Sequence, residues 1–133
     1  MPTRLAELMD FAARYTAAWC SQDAARVAAF YAADGSLTIN DNEPAVGRQA
    51  ITEATQAFMT AFPDLQVVMD KVTVDDDIAE YHWTLTGTNT GHGGKGNRVR
   101  ISGFERWEFD QDGLIHASRG RFDSGEYRRQ LAL

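Results

Sequence analysis

The residues best suited to chemistry lie in the C-terminal third of the chain, between Gly87 and Asp123. Side chains alternate between the two faces of a strand, so Glu105, Trp107, Arg119 and Asp123 fall into step on one face, and His82 can join them. Ionisable groups set among a strand's large apolar neighbours mark a lined pocket rather than a dry core. An enolising or aldol-type reaction needs a base beside a C–H bond and donors aimed at the developing oxyanion. Asp123 is the candidate base. His82 is the second, because an unperturbed imidazole titrates near pH ~6.5. Tyr15 and a neutral Glu105 are the candidate donors; an apolar site can keep a carboxylic acid protonated, although a nearby Arg119 would oppose this. Trp19, Phe58, Phe62 and Trp107 can wall a flat ligand, with Asn40, Asn89 and Arg119 as polar contacts.

Each assignment has a structural alternative. Asp123-Ser124-Gly125-Glu126 also has the spacing of a helix cap followed by an acid three residues on. Glu105 and Arg119 can form an internal ion pair between neighbouring strands. His82 can be a hydrogen-bonded interior or surface histidine, Tyr15 a core residue with a satisfied hydroxyl, and the Trp and Phe positions plain core.

Other signals carry no chemistry. Gly91-His92-Gly93-Gly94-Lys95-Gly96 lacks both the spacing of a phosphate loop and a Ser or Thr after its lysine, and reads as a flexible hairpin loop. The aspartates at 75 to 77 lack the spaced ligands of a calcium loop and read as a solvated turn. Histidines 82, 92 and 116 stand far apart, so neither a metal site nor a cofactor is expected. Cys20, beside Trp19 at a helix end, reads as packing.

These residues must be positioned by a single expected domain, 1–133, of ordinary globular composition, with 44% hydrophobic and 24% charged residues. The net charge is −6 and no basic stripe exists, which argues against nucleic acid as a partner. One cysteine cannot form an internal disulfide, and no apolar run approaches the ~20 residues of a membrane span. Met1 to Asp10 has no unbroken apolar stretch, so no signal peptide or membrane partner is expected, and the expected compartment is cytoplasmic.

Leu5, Leu8, Met9, Ala12, Tyr15 and Trp19 predict a helix from about Thr3 to Cys20. Ser21-Gln22-Asp23 caps a shorter one carrying Val27, Phe30 and Tyr31. Asp34-Gly35 turns the chain into a strand from Ser36 to Asn40, and a polar loop with Pro44 and Gly47 follows. Ile51, Ala54, Phe58 and Phe62 mark a third helix, ended by Pro63. The period then becomes two, and Leu65–Val74, Ile78–Thr90, Asn97–Asp110 and Leu114–Phe122 predict four strands. The order α-α-β-α-β-β-β-β predicts an α+β domain: a cone-shaped, curved, mixed but mainly antiparallel sheet wrapped around the N-terminal helices.

Tyr15-Thr16-Ala17-Ala18-Trp19, Phe30-Tyr31-Ala32-Ala33-Asp34-Gly35, Val46-Gly47-Arg48, Phe62-Pro63-Asp64, Gly87-Thr88-Asn89-Thr90-Gly91, Asp112-Gly113-Leu114-Ile115 and Phe122-Asp123 resemble, in order, a SnoaL-like polyketide cyclase of the nuclear transport factor 2-like superfamily. The resemblance implies an acid–base aspartate near the end of the last strand, and Asp123 fits it. Where the cyclases commonly carry histidine, this chain has Asn89. Limonene-epoxide hydrolases share the Phe-Asp ending, but their activating arginine and aspartate fall near Glu80 and His82. Ketosteroid isomerases are similar at Tyr15 and Glu105, whereas their general base aligns near Ile39 or Asn40, neither of which takes a proton. The resemblance implies a small apolar carbonyl ligand, polyketide- or steroid-like, handled by a cofactor-independent cyclase or isomerase, or else a non-catalytic binding or interaction domain. It also implies a homodimer, which Val67, Met69 and Tyr81 could support as exposed strand positions.

Overall fold

The protein is described by a computed structural model over residues 5–91 and 93–132; the expected helix start at Thr3, and His92, lie outside them. The helical spacing becomes the buried stripe of α1 (Leu5–Trp19), formed by Leu8, Phe11, Ala12, Tyr15, Ala18 and Trp19. Asp23 accepts the backbone N–H of Ala25 at 3.2 Å and caps α2 (Ala24–Ala28). The chain continues through β1 (Tyr31–Ile39), β2 (Ala45–Val46) and α3 (Arg48–Ala61). Phe62, held extended at φ −127° before Pro63, stops α3. Then come β3 (Gln66–Asp75), β4 (Ile78–Thr88), β5 (Arg98–Phe109), β6 (Ile115–Phe122) and α4 (Ser124–Ala132).

The six strands form one sheet in the order β2-β1-β6-β5-β4-β3. Only β1 and β6 run parallel; the other neighbours are antiparallel. Residues of α1, α2 and α3 share one buried cluster with the inward side chains of the sheet. This is the expected α+β architecture with a mixed, mainly antiparallel sheet. No helix among the described residues is long and apolar enough to cross a membrane.

Three local expectations change. Tyr31 opens β1 instead of closing α2, and Asp34-Gly35 lies within that strand, not in a turn. A Cβ on Gly35 would stand 2.7 Å from the Ile115 carbonyl oxygen, so this glycine admits β6 at an irregularity in the β1–β6 register. The polar loop contains the short β2, and a nine-residue helix, α4, follows Asp123 as its cap spacing allowed. Val67 and Tyr81 are buried and Met69 packs on the core, so these residues face inward; the outer face instead exposes Val68, at 59%.

Pairing register fixes what faces the helices. Ala79, Trp107 and Ser118 lie side by side, as do Tyr81, Glu105 and Gly120, and then Trp83, Gly103 and Phe122. At Gly103 an added Cβ would sit 2.7 Å from Cζ2 of Trp83. Gly103→Ala is therefore expected to cost about 1–3 kcal/mol through overpacking, seen as a lower urea midpoint.

Candidate functional site

Glu105 projects from β5 into the space between sheet and helices and is buried. Its Oε1 accepts the Ser118 hydroxyl at 2.7 Å, the Tyr15 hydroxyl at 2.9 Å and the Trp107 indole N–H at 3.0 Å. Tyr31 lies farther, at 3.4 Å from Oε1 but 2.9 Å from the Tyr15 hydroxyl, so it donates best to Tyr15, which in turn donates to Glu105. These contacts saturate the lone pairs of Oε1. Oε2 has only a longer contact, 3.2 Å from the Tyr15 hydroxyl. A proton on this carboxyl therefore sits on Oε2.

Burial pushes the Glu105 carboxyl above its ordinary value of 4.5, while hydrogen bonds from Ser118, Trp107, Tyr15 and Tyr31 pull it back without cancelling the rise. Burial, with the Glu105 charge second, likewise holds the Tyr15 and Tyr31 hydroxyls well above the usual phenol range. Both tyrosines thus remain donors.

Glu105 lines a cavity of about 60 Å³. A buried water needs roughly 10–15 Å³ and an apolar cavity that holds benzene measures about 150 Å³, so the inner space takes a few heavy atoms. Its walls join six aromatic residues, Trp19, Phe58, Tyr81, Trp83, Phe122 and Tyr127, to aliphatic ones. Among the residues lining it, Glu105 is the one carboxyl, and none is basic. Thr16 donates to the Ala12 carbonyl at 2.8 Å, so its oxygen must accept from Tyr81, which commits that hydroxyl away from the cavity. Burial raises the Tyr81 hydroxyl far above its usual value. Trp83 differs: its buried indole N–H has no partner among the described residues.

The structure brings together Tyr15, Glu105 and Trp107 at the carboxyl, and Trp19 and Phe58 in the cavity wall. The others stand apart from that wall. Arg119 faces outward, opposite Arg106, and pairs with Glu108; the expected ion pair with Glu105 does not form. Register sets this, because Gly120 is the residue opposite Glu105. His82, opposite Phe104 on the outer face, contacts Glu80 at 3.1 Å. Asp123 is exposed, and its Oδ1 accepts the Glu126 N–H at 3.0 Å as the cap of α4. Asn40 accepts the Phe122 N–H at 3.0 Å, and Asn89 accepts the Gly96 N–H at 2.7 Å. Phe62 is buried against Gly87, behind the wall.

Tyr31, Tyr81, Trp83 and Ser118 are site residues that sequence reasoning missed. Strand alternation could have found Ser118: it is the hydroxyl one residue from Arg119, on the face that Glu105 and Trp107 share.

The mixed sheet packed against helices has the nuclear transport factor 2-like, ketosteroid isomerase-like fold. The chain belongs to the SnoaL-like domain family, whose profile matches residues 12–117. No curated protein matches it. Among solved structures, a protein of ketosteroid isomerase-like fold from Catenulispora acidiphila, in complex with trimethylamine, is 14% identical with TM-score 0.81, covering 93% of each chain. A phenazine biosynthesis-related protein from Pseudomonas aeruginosa is 19% identical with TM-score 0.76, over 96% of this chain and 89% of that one. The epoxide hydrolase/cyclase-like enzyme SalBIII, of pyran ring formation in salinomycin, is 15% identical with TM-score 0.77, over 89% and 92%. At these identities the likeness is one of fold.

Because the folded chain holds the Glu105 proton more tightly than a free carboxyl titrating near 4.5, its stabilisation is complete below that pH and is lost as pH rises through the folded-state pKa. Glu105→Gln removes the titration. The melting temperature of the wild type relative to Glu105→Gln is therefore expected to fall as pH increases above 4.5; a constant difference would contradict the perturbed carboxyl.

Proposed function

We propose that this chain is a cofactor-independent acid–base enzyme of the isomerase or cyclase type, acting on a compact apolar carbonyl group. The observation that carries the reading is Glu105: the one carboxyl of an apolar cavity, with Oε1 held by three close donors and Oε2 left for a ligand. Opposed burial and hydrogen bonding move its pKa toward the range where a group both takes and returns a proton. Oε2 of the carboxylate removes a proton from the carbon next to the carbonyl, and the donors hold the carboxyl in place. The same acid then returns the proton at another carbon, giving isomerisation, or the enolate carbon adds to a second carbonyl of the same molecule, whose π electrons pass to its oxygen and take up the Glu105 proton as the ring closes. Asp123, as a helix cap, is not the base in this reading.

The small inner volume supports a substrate whose reacting end alone enters, so a polyketide- or steroid-like body would remain outside it. A second copy of the chain, the proposed partner, would meet the outer face around Val68.

Deuterium uptake at the α-carbon of cyclopentanone in D2O, followed by NMR, tests the mechanism. The wild-type protein is expected to accelerate exchange, with a rate that rises with pH as Glu105 ionises. Glu105→Gln should lose about 100-fold or more, and Asp123→Asn should stay within about two-fold of wild type. Exchange that survives Glu105→Gln would sink the assignment. Cyclopentanone binding without exchange would favour the non-catalytic ligand-binding domain.

A further inference from the structure

Four glycines lie inside strands: Gly35, Gly87, Gly103 and Gly120. At three of them a neighbour occupies the place of a side chain. A Cβ would stand 2.7 Å from the Ile115 carbonyl at Gly35, 2.9 Å from Phe62 at Gly87, and 2.7 Å from Trp83 at Gly103. Gly120 is different. A Cβ there would lie 3.6 Å from Cγ of Glu105 and from the Thr38 carbonyl, and 3.7 Å from the Phe104 carbonyl, all ordinary contacts. Nor does its backbone require glycine, since it is not among the residues with positive φ. Glycine weakens a strand interior, and where neither space nor conformation demands it, the remaining reason is close approach of another molecule.

Gly120 lines the cavity and lies directly opposite Glu105. Its backbone is fixed from outside the strand. Asn40, in the left-handed region at φ 53°, donates its N–H to the Gly120 carbonyl at 2.8 Å and accepts the Phe122 N–H at 3.0 Å. The missing side chain thus leaves open space of fixed shape beside the carboxyl.

We propose that Gly120 determines specificity by seating the ligand's reacting end against β6, within reach of Glu105. The inference rests on the acid–base reading above and names its substrate class: carbonyl compounds unbranched at the carbon next to the carbonyl. With no side chain at Gly120, a flat carbonyl and its CH2 neighbour can lie against the strand. A quaternary carbon in place of the CH2 cannot.

Gly120→Ala tests this, with Gly103→Ala as the structural control. The Gly120→Ala protein is expected to keep or raise its urea midpoint, because alanine fits and suits a strand better. Its affinity for cyclopentanone, titrated by the fluorescence of Trp19 and Trp83 in the wall, should fall at least ten-fold. The wild type should bind cyclopentanone at least ten-fold better than 2,2,5,5-tetramethylcyclopentanone. A Gly120→Ala protein that binds like wild type, or loses stability like Gly103→Ala, overturns the seat. Equal binding of the two ketones by the wild type also overturns it. A wild type that binds neither ketone overturns the acid–base reading and the seat together. Cyclopentanone binding lost in Gly120→Ala, with exchange unaffected in Glu105→Gln, upholds the seat and removes only the role given to Glu105.

Discussion

A buried carboxyl must be satisfied or it destabilises the fold that contains it, and the arrangement of this protein follows from satisfying Glu105. Its hydrogen-bond network draws on four elements: Tyr15 on α1, Trp107 on β5 and Ser118 on β6 donate to it, and Tyr31 at the start of β1 donates to Tyr15. No pair of these elements alone would suffice. The parallel β1–β6 pairing, the antiparallel β5–β6 register and the seating of α1 on the sheet must all be in place before the oxygen is surrounded. All four donors are neutral. They tolerate either charge state of the acid, as a cationic partner would not.

The aromatic packing serves the same end. Tyr81 stacks on Trp107 with ring centroids 4.8 Å apart, and Tyr15 meets Trp107 edge-on at 5.0 Å. Such contacts fix ring orientation, and with it the indole N–H and the phenol O–H that reach Glu105. The hydroxyl of Tyr81 is turned to Thr16, so its ring packs the interior without adding a fifth donor. Core and site are one set of side chains.

The order of elements, the four long strands and the cap residues at 23 and 123 were legible because they rest on local signals: periodicity, turn residues and capping oxygens. Which face of each strand turns inward was not. The alternation that put Glu105 and Trp107 together was right, but extending it across a turn placed Arg119 inside where Ser118 belongs. A one-residue error in cross-strand register exchanges every side chain between core and solvent. The same error turned Tyr81 outward and His82 inward. Asp123 misled for another reason: a helix cap and a strand-end catalytic acid have the same local sequence. Gly35 resembled a turn because the close approach that requires it comes from Ile115, far along the chain.

The boundary of the cavity is divided unequally between elements. Most of the wall belongs to the sheet and the first helices, whose residues also form the core, but Tyr127 comes from α4, which contributes no fully buried residue. That helix is tied down from its periphery, by Gln130 bonding Arg100 on both sides and by Asn97 reaching the Leu131 carbonyl. Substitutions on α4 can therefore reshape that part of the wall while the carboxyl and its donors stay unchanged. The buried carboxyl is bound to the core of the fold, while part of the cavity wall stands on a helix at its edge, where substitution costs the core least.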